Sequence, residues 1–290
     1  ERFSNVDKYV NRLVTSYKQN SEKFLYPISA VIDCANGSSS TTAEKIFQQA
    51  DIKYHIISSE PNGININDKC GSTSMKVLQS AVRRKNYDCG IAFDGDADRC
   101  LLVDENGNIV DGDHILAICA KYLGYTDVVV TVMTNIGFFK FAKENNINVH
   151  TTSVGDRYVL EKMLAEGYKI GGEQSGHVIF LPESTTGDGQ LTALKILSVM
   201  KQTGKTLSEL AAIMHSYPQV LKNIKVTPQV KAIWREKVDL SKYEKILGEN
   251  GRVLVRESGT EPLIRVMLEG ENLEEITNYA DEIIAKIAEL

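Results

Sequence analysis

Apolar and polar positions follow two rhythms along this chain, and each change of rhythm marks a new element. Residues 1–25 place Val6, Tyr9, Val10, Leu13, Val14 and Tyr17 at helical spacing. The apolar run 28–33 predicts a strand, Asn36-Gly37 a turn, 42–50 a helix and 54–57 a second strand. A polar loop at 61–67 leads to a helix over 75–84, then to two apolar runs flanking a polar segment at 94–99. The alternation repeats as helix 112–123, strand 128–132, helix 136–143, strand 149–154 and helix 158–164. A strand over 169–180 is interrupted by a loop at 172–177, and a long helix runs from Asp188, an N-cap, to about residue 202. Thr206-Leu207-Ser208-Glu209 has the spacing of a capping box and opens one more helix.

After Tyr217-Pro218 the pattern changes. A short strand is predicted at 224–226, a short helix with the single tryptophan, Trp234, at 232–238, and two strands at 252–256 and 263–268. The closing helix, capped at Asn272, is predicted to bury Leu273, Ile276, Ala280, Ile283, Ile284 and Ile287. Strands alternating with helices of this length imply right-handed βαβ units. The expected class is α/β: two α/β domains with mostly parallel mixed sheets, residues 1–108 and 109–216, and a smaller C-terminal α+β domain, residues 217–290.

Composition narrows the function classes. With 290 residues, 42% hydrophobic and 24% charged, the chain has ample core and exceeds one typical domain. A net charge of −5 gives no electrostatic reason to expect nucleic acid or an anionic membrane as partner. No apolar run approaches a membrane span, and Glu1-Arg2-Phe3-Ser4 lacks a signal-peptide pattern. Five cysteines, odd in number and without a C-x-x-C pair, suit buried thiols in a reducing compartment, so a cytoplasmic location is expected.

Asp94, Asp96 and Asp98 sit at alternate positions between the two apolar runs. Three carboxylates so close repel one another unless a hard cation with oxygen ligands joins them. Asp94, Asp96, Asp98 and Glu105 match EF-hand loop positions one, three, five and twelve, but Arg99 stands where that loop needs glycine, and the flanks are strands rather than helices. A solvated acidic turn is the plain alternative. Mg²⁺ suits the trio better than Ca²⁺, because three carboxylates leave room for water or a phosphate oxygen, which Arg99 could also hold.

Two further loops carry chemistry. Arg256 and Arg265 flank a turn containing Ser258, Gly259 and Thr260, a combination that suits an anion, although a hairpin with solvated arginines has the same pattern. Glu173, Gln174, Ser175 and His177 on a glycine-flexed loop offer acceptors and donors for sugar hydroxyls, or form a structural turn. Asp156-Arg157 fits equally an N-cap followed by a solvated arginine. These loops fall at strand ends, where α/β sheets bind ligands, so a cleft between domains is the expected site.

Asp94-Gly95-Asp96-Ala97-Asp98-Arg99, Gly172-Glu173-Gln174-Ser175-Gly176-His177 and Arg256-Glu257-Ser258-Gly259-Thr260-Glu261-Pro262 resemble, in this order, the metal-, sugar- and phosphate-binding loops of the α-D-phosphohexomutase superfamily. Pro61-Asn62-Gly63-Ile64-Asn65-Ile66-Asn67, Cys70-Gly71-Ser72-Thr73, Val154-Gly155-Asp156-Arg157 and Gly187-Asp188-Gly189 are similar to its bacterial branch acting on glucosamine phosphates. The resemblance implies an isomerase that makes glucosamine 1-phosphate, a cell-wall precursor, from glucosamine 6-phosphate through a phosphoserine and a bisphosphorylated sugar. It implies Mg²⁺ on Asp94, Asp96 and Asp98, and catalytic roles for Arg99 and His177. Substrate contacts would come from Asp156, Arg157, Glu173, Ser175 and His177, and a clamp on the non-reacting phosphate from Arg256, Ser258, Gly259, Thr260 and Arg265. The implied partners are a phosphorylated hexosamine, an N-terminal phosphoserine domain and, as an oligomer, a homodimer. No Ser-His-Asn occurs here, so the chain is expected to match domains two to four and to bind without turnover. Phosphomannomutase or phosphoglucomutase activity, differing at C2 of the sugar, and a non-catalytic sugar-phosphate binding module are the competing expectations.

Overall fold

The strand-and-helix rhythm of the first two-thirds builds one structural plan twice. The computed structural model describes residues 2–21, 27–259 and 261–290. By its internal contacts the chain divides into two units, Glu1–Thr134 with Phe141–Met214, and Asn135–Lys140 with His215–Leu290.

In the first unit, α1 (Arg2–Ser21) turns Val10, Leu13, Val14 and Tyr17 inward. There follow β1 (Ser29–Asp33), α2 (Ala43–Gln49), β2 (Lys53–Ile57), α3 (Lys76–Lys85), β3 (Cys89–Phe93), β4 (Cys100–Asp104) and β5 (Ile109–Val110), in a sheet ordered β2-β1-β3-β4-β5. β2, β1 and β3 run parallel, whereas β4 and β5 are antiparallel additions. The turn between β3 and β4 therefore lies at the carboxyl edge of the parallel strands.

The second sheet repeats this plan. α4 (Gly112–Leu123), β6 (Asp127–Thr131), α5 (Ile136–Glu144), β7 (Asn148–Thr152), α6 (Asp156–Glu166), β8 (Ile170–Gly172) and β9 (Val178–Phe180) give the order β7-β6-β8-β9. Three strands are again parallel, and the β8–β9 hairpin is antiparallel. The β3–β4 and β8–β9 turns are thus equivalent positions in two copies of one topology.

α7 (Gly189–Thr203) packs against α1, α4, β3 and β4. Most of its residues are buried, which is why its sequence is apolar around much of its circumference. The Asp188 side chain accepts the Leu191 N–H at its start, and α8 (Leu207–Ala211) opens with the expected Thr206–Glu209 capping box. No helix among the described residues is long and apolar enough to cross a membrane.

The second unit contains β10 (Gln219–Lys225), α9 (Pro228–Lys237), α10 (Ser241–Leu247), β11 (Arg252–Glu257), β12 (Leu263–Glu269) and α11 (Leu273–Ala288). Its sheet is antiparallel, ordered β10-β12-β11, and its core gathers Trp234, Tyr243, Ile264, Val266, Leu268 and the inner face of α11. Glu269 is fully buried, accepts the Ile136 N–H (3.1 Å) and the Gln219 side-chain amide (2.9 Å), and pairs with Arg252. Removing Arg252 would leave a buried carboxylate without its counter-charge, which is destabilising.

Several expectations need correction here. β10 begins five residues before the predicted strand: Lys222 and Asn223 break its apolar run, yet it pairs with β12 along its whole length. α9 starts at Pro228 because the Thr227 side chain caps Val230 N–H and proline suits the first helical position. α10 and β5 are too short to leave a periodic trace. Leu273, predicted to be buried, is 55% exposed, because it opens α11 just beyond the Asn272 cap and off the inner face.

Candidate functional site

β3 is buried along its whole length and delivers its chain straight into Asp94, which is itself 7% exposed. One carboxylate oxygen from each of Asp94, Asp96 and Asp98 can be chosen so that all three lie within 4.8 Å of one another. Ala97, left-handed at φ 62°, closes the turn, and its N–H donates to the Asp94 carbonyl (3.1 Å). Burial, and then the charges of Asp98 and Asp96, push the Asp94 carboxyl up to about 6, against the Arg99 backbone N–H that donates to it. Arg99 is loosely paired: its Nε lies 3.8 Å from Asp94 and 3.9 Å from Asp98. Asp98 Oδ1 is buried without a hydrogen-bond partner among the described residues. A solvated acidic turn would leave neither a buried Asp94 nor an orphaned Asp98 oxygen. A clustered, all-oxygen donor set with one unsatisfied atom fits a hard divalent cation.

The β8–β9 turn meets this loop directly. Arg99 and His177 form an isolated antiparallel bridge, and the Cys100 N–H donates to the Gly176 carbonyl (3.0 Å). His177 is 3% exposed. Its Nε2 accepts the Gly187 N–H (3.1 Å), so its ring proton sits on Nδ1 and is donated to Asp98 Oδ2 (3.0 Å). With both nitrogens engaged, by Asp98 and by Gly187, His177 orients the Asp98 carboxylate.

Glu173 is half-buried, and one of its oxygens accepts the Gly155 N–H (3.1 Å). Gly155, at φ 130° and ψ 131°, takes a conformation reserved for glycine and is the N-cap of α6. Asp156 is therefore the first residue of α6 rather than its cap. Arg157 is exposed and pairs with Glu161 along the helix (2.7 Å). Ser175 is exposed at the tip of the turn. Asp111 was not anticipated: it caps α4 through the His114 N–H (3.1 Å) and accepts the Gln174 side-chain amide (3.3 Å). Gly112 N–H donates to the Gln174 carbonyl (3.0 Å), so the start of α4 shapes the turn. The Asp-Gly pair ahead of a predicted helix was the available signal.

In the second unit, Arg256 and Arg265 stand directly opposite each other in the β11–β12 register. Burial, and then the Arg265 charge, lower the Arg256 guanidinium from its ordinary value. No carboxylate lies within ion-pair distance of Arg256 among the described residues, and Arg265 Nε is buried without a hydrogen-bond partner. Arg265 reaches Glu261 (3.3 Å) through a terminal nitrogen. Ser258 is buried and accepts the Glu261 N–H (3.2 Å), and Gly259 is exposed; Thr260 lies outside the described residues. Lys231, unmarked in the sequence pattern, donates to the Ser258 (2.6 Å) and Glu261 (3.3 Å) carbonyls. Glu257 is drawn away from the arginines by Trp234 and a bidentate Arg235.

Family models described as phosphoglucomutase/phosphomannomutase alpha/beta/alpha domain II, alpha/beta/alpha domain III and C-terminal domain match residues 7–107, 111–217 and 221–286. The phosphoglucosamine mutase of Clostridium tetani is 50% identical over 292 residues, covering 97% of this chain and 65% of its own length. That of Clostridium acetobutylicum is 54% identical over 270 residues, covering 89% and 60%. The chain thus spans less than two-thirds of the length of these relatives. Among solved structures, a phosphoglucomutase/phosphomannomutase family protein from Burkholderia thailandensis shares the fold with a TM-score of 0.83 at 19% identity, over 98% of this chain and 64% of that one. Aspergillus fumigatus N-acetylphosphoglucosamine mutase, solved with GlcNAc-6P and magnesium, shares it with a TM-score of 0.79 at 19% identity, over 96% and 65%.

Proposed function

Because this chain belongs to the phosphoglucomutase/phosphomannomutase family, we propose that it supplies the cation, sugar and phosphate sites of a cytoplasmic mutase. That enzyme interconverts glucosamine 6-phosphate and glucosamine 1-phosphate, a cell-wall precursor. The observation that carries the proposal is the backbone bridge between Arg99 and His177, which joins the carboxylate trio to the Glu173 turn. Support for the amino sugar comes from relatives with that activity at about half identity.

Asp94, Asp96 and Asp98 would hold Mg²⁺, which when bound supplies Lewis-acid stabilisation of a transferring phosphoryl group. The remaining work falls to the chain's own residues. Glu173, with one oxygen fixed by Gly155, offers the other to sugar hydroxyls, and Ser175 adds a hydroxyl that donates or accepts. Arg99, whose guanidinium makes long ion pairs at 3.8 and 3.9 Å, turns it to phosphate oxygens and offsets their charge. Asp156 and Arg157 contact substrate from the first turn of α6. Arg256, Ser258, Gly259, Thr260 and Arg265 hold the phosphate that is not reacting.

In the reaction, a serine phosphate passes its phosphoryl group to O1 of glucosamine 6-phosphate, leaving free serine and the 1,6-bisphosphate. The O6 phosphoryl group then returns to serine. Such transfers depend on positioning and electrostatics more than on covalent work by other side chains. The Ser-His-Asn-Pro loop that would carry this serine does not occur in these 290 residues.

The 290-residue polypeptide is therefore expected to bind glucosamine 6-phosphate without converting it, and to convert it once joined to a phosphoserine domain of the family. A coupled assay with glucosamine, glucose and mannose 6-phosphates checks both points. Turnover by the 290 residues alone would refute the need for the serine. Preference of the joined protein for glucose or mannose phosphate would overturn the amino-sugar assignment.

A further inference from the structure

The carboxylate loop is shaped from outside, and we propose that Asp33 and Gly37, neither of them a cation ligand, are positioning residues that set the spacing of Asp94, Asp96 and Asp98. The inference rests on the reading of those aspartates as a cation site.

Asp33 ends β1, the strand beside β3. Its carboxylate is fully buried and both of its oxygens are engaged: one accepts the Ala35 N–H (2.9 Å), the other the Gly71 N–H (2.9 Å). The first bond holds a turn in which Ala35 and Asn36 are both left-handed, at φ 54° and 48°. Residues with a Cβ resist that conformation, and two in succession persist only where the surroundings impose them. The second bond draws Gly71 against β3, where the Ser72 N–H donates to the Phe93 carbonyl (2.9 Å), one residue before Asp94.

From the left-handed turn the chain passes under the carboxylate loop itself. Ser38 N–H donates to the Gly95 carbonyl (2.8 Å), and a Cβ built on Gly37 would overlap that same carbonyl. At φ −110° Gly37 has a backbone open to any residue, so close approach, rather than conformation, requires glycine here. Asp94 is thus gripped on either side, at Phe93 and at Gly95, by two segments that a single buried carboxylate ties together. Displacing either grip moves Asp94 relative to Asp96 and Asp98, and hard cations are sensitive to the placement of their oxygen ligands.

The test uses Mn²⁺ as probe, titrated into the 290-residue protein and followed by electron paramagnetic resonance. Gly37→Ala and Asp33→Asn are each expected to weaken Mn²⁺ binding at least tenfold, while far-ultraviolet circular dichroism stays unchanged. Inorganic phosphate affinity at the Arg256–Arg265 turn should stay within twofold. Mn²⁺ affinity within twofold of wild type in a folded variant overturns the positioning role and leaves the cation site standing. Failure of the wild-type protein to bind Mn²⁺ overturns the cation site and this proposal with it. Loss of folding in both variants also contradicts it, since they would then be structural residues of the sheet rather than positioning residues of the loop.

Discussion

Asp98→Ala is expected to abolish divalent-cation binding, with a loss of affinity of about a hundredfold or more. Asp98 contributes twice: Oδ1 is buried without a hydrogen-bond partner among the described residues, and Oδ2 is fixed by His177. His177→Ala removes the bond that orients Asp98, along with the acceptor of the Gly187 N–H, and is expected to cost about tenfold. The cation also competes with a proton. Burial and the neighbouring carboxylates hold Asp94 up to about 6, so the ion-free native chain binds more protons than the unfolded chain between the ordinary carboxylate range and that value. The sign follows from linkage: the ion-free protein loses stability as pH rises through this window and regains it as pH falls. Mn²⁺ affinity should move the opposite way, falling as pH drops below about 6 because binding expels the proton. Calorimetric titration on both sides of that pH checks the effect, and an affinity independent of pH would count against the trio as ligands.

Arg256→Ala is expected to weaken inorganic phosphate binding by about thirtyfold, the value of a charge-assisted hydrogen-bond pair at about 2 kcal/mol. Its effect on the ligand-free chain has the opposite sign. Arg256 faces Arg265 across the β11–β12 pair with no carboxylate at ion-pair distance from it among the described residues. Like charges so placed are destabilising, so their separation should leave the thermal midpoint unchanged or raised. Arg256→Lys keeps the charge without the planar fork and should recover only part of the affinity. Isothermal titration with inorganic phosphate, set beside a thermal melt, reads both effects. A variant that loses stability yet keeps phosphate affinity would assign Arg256 to the fold alone.

Much of this site could be read before any coordinates, for physical reasons that differ from loop to loop. The carboxylate trio was legible because charges at alternate positions between two buried strands repel unless a cation joins them, and the strands formed as the apolar runs demanded. The caps at Asp188, Thr206 and Asn272 were legible because each sits just ahead of a helical rhythm. β10 was under-read because an edge strand is held by backbone pairing that leaves little pattern in its side chains. The partners of His177 left no trace in the sequence, because its burial between Asp98 and Gly187 is a tertiary fact. Asn36-Gly37 was legible as a turn, but the close approach of Gly37 to Gly95 and the bond between Asp33 and the distant Gly71 were not. Lys231 acts through backbone carbonyls, which no side-chain pattern announces.

The claim beneath all of this is that the aspartate loop and the Glu173 turn, equivalent hairpins of two repeated sheets, serve one ligand. Nuclear magnetic resonance of glucosamine 6-phosphate in the presence of the Mn²⁺-loaded protein tests it most directly. Strong paramagnetic broadening of the sugar ring protons is predicted, lost in Glu173→Ala while Mn²⁺ remains bound. Sugar phosphate that binds the Mn²⁺-loaded protein with its ring signals unbroadened would contradict it.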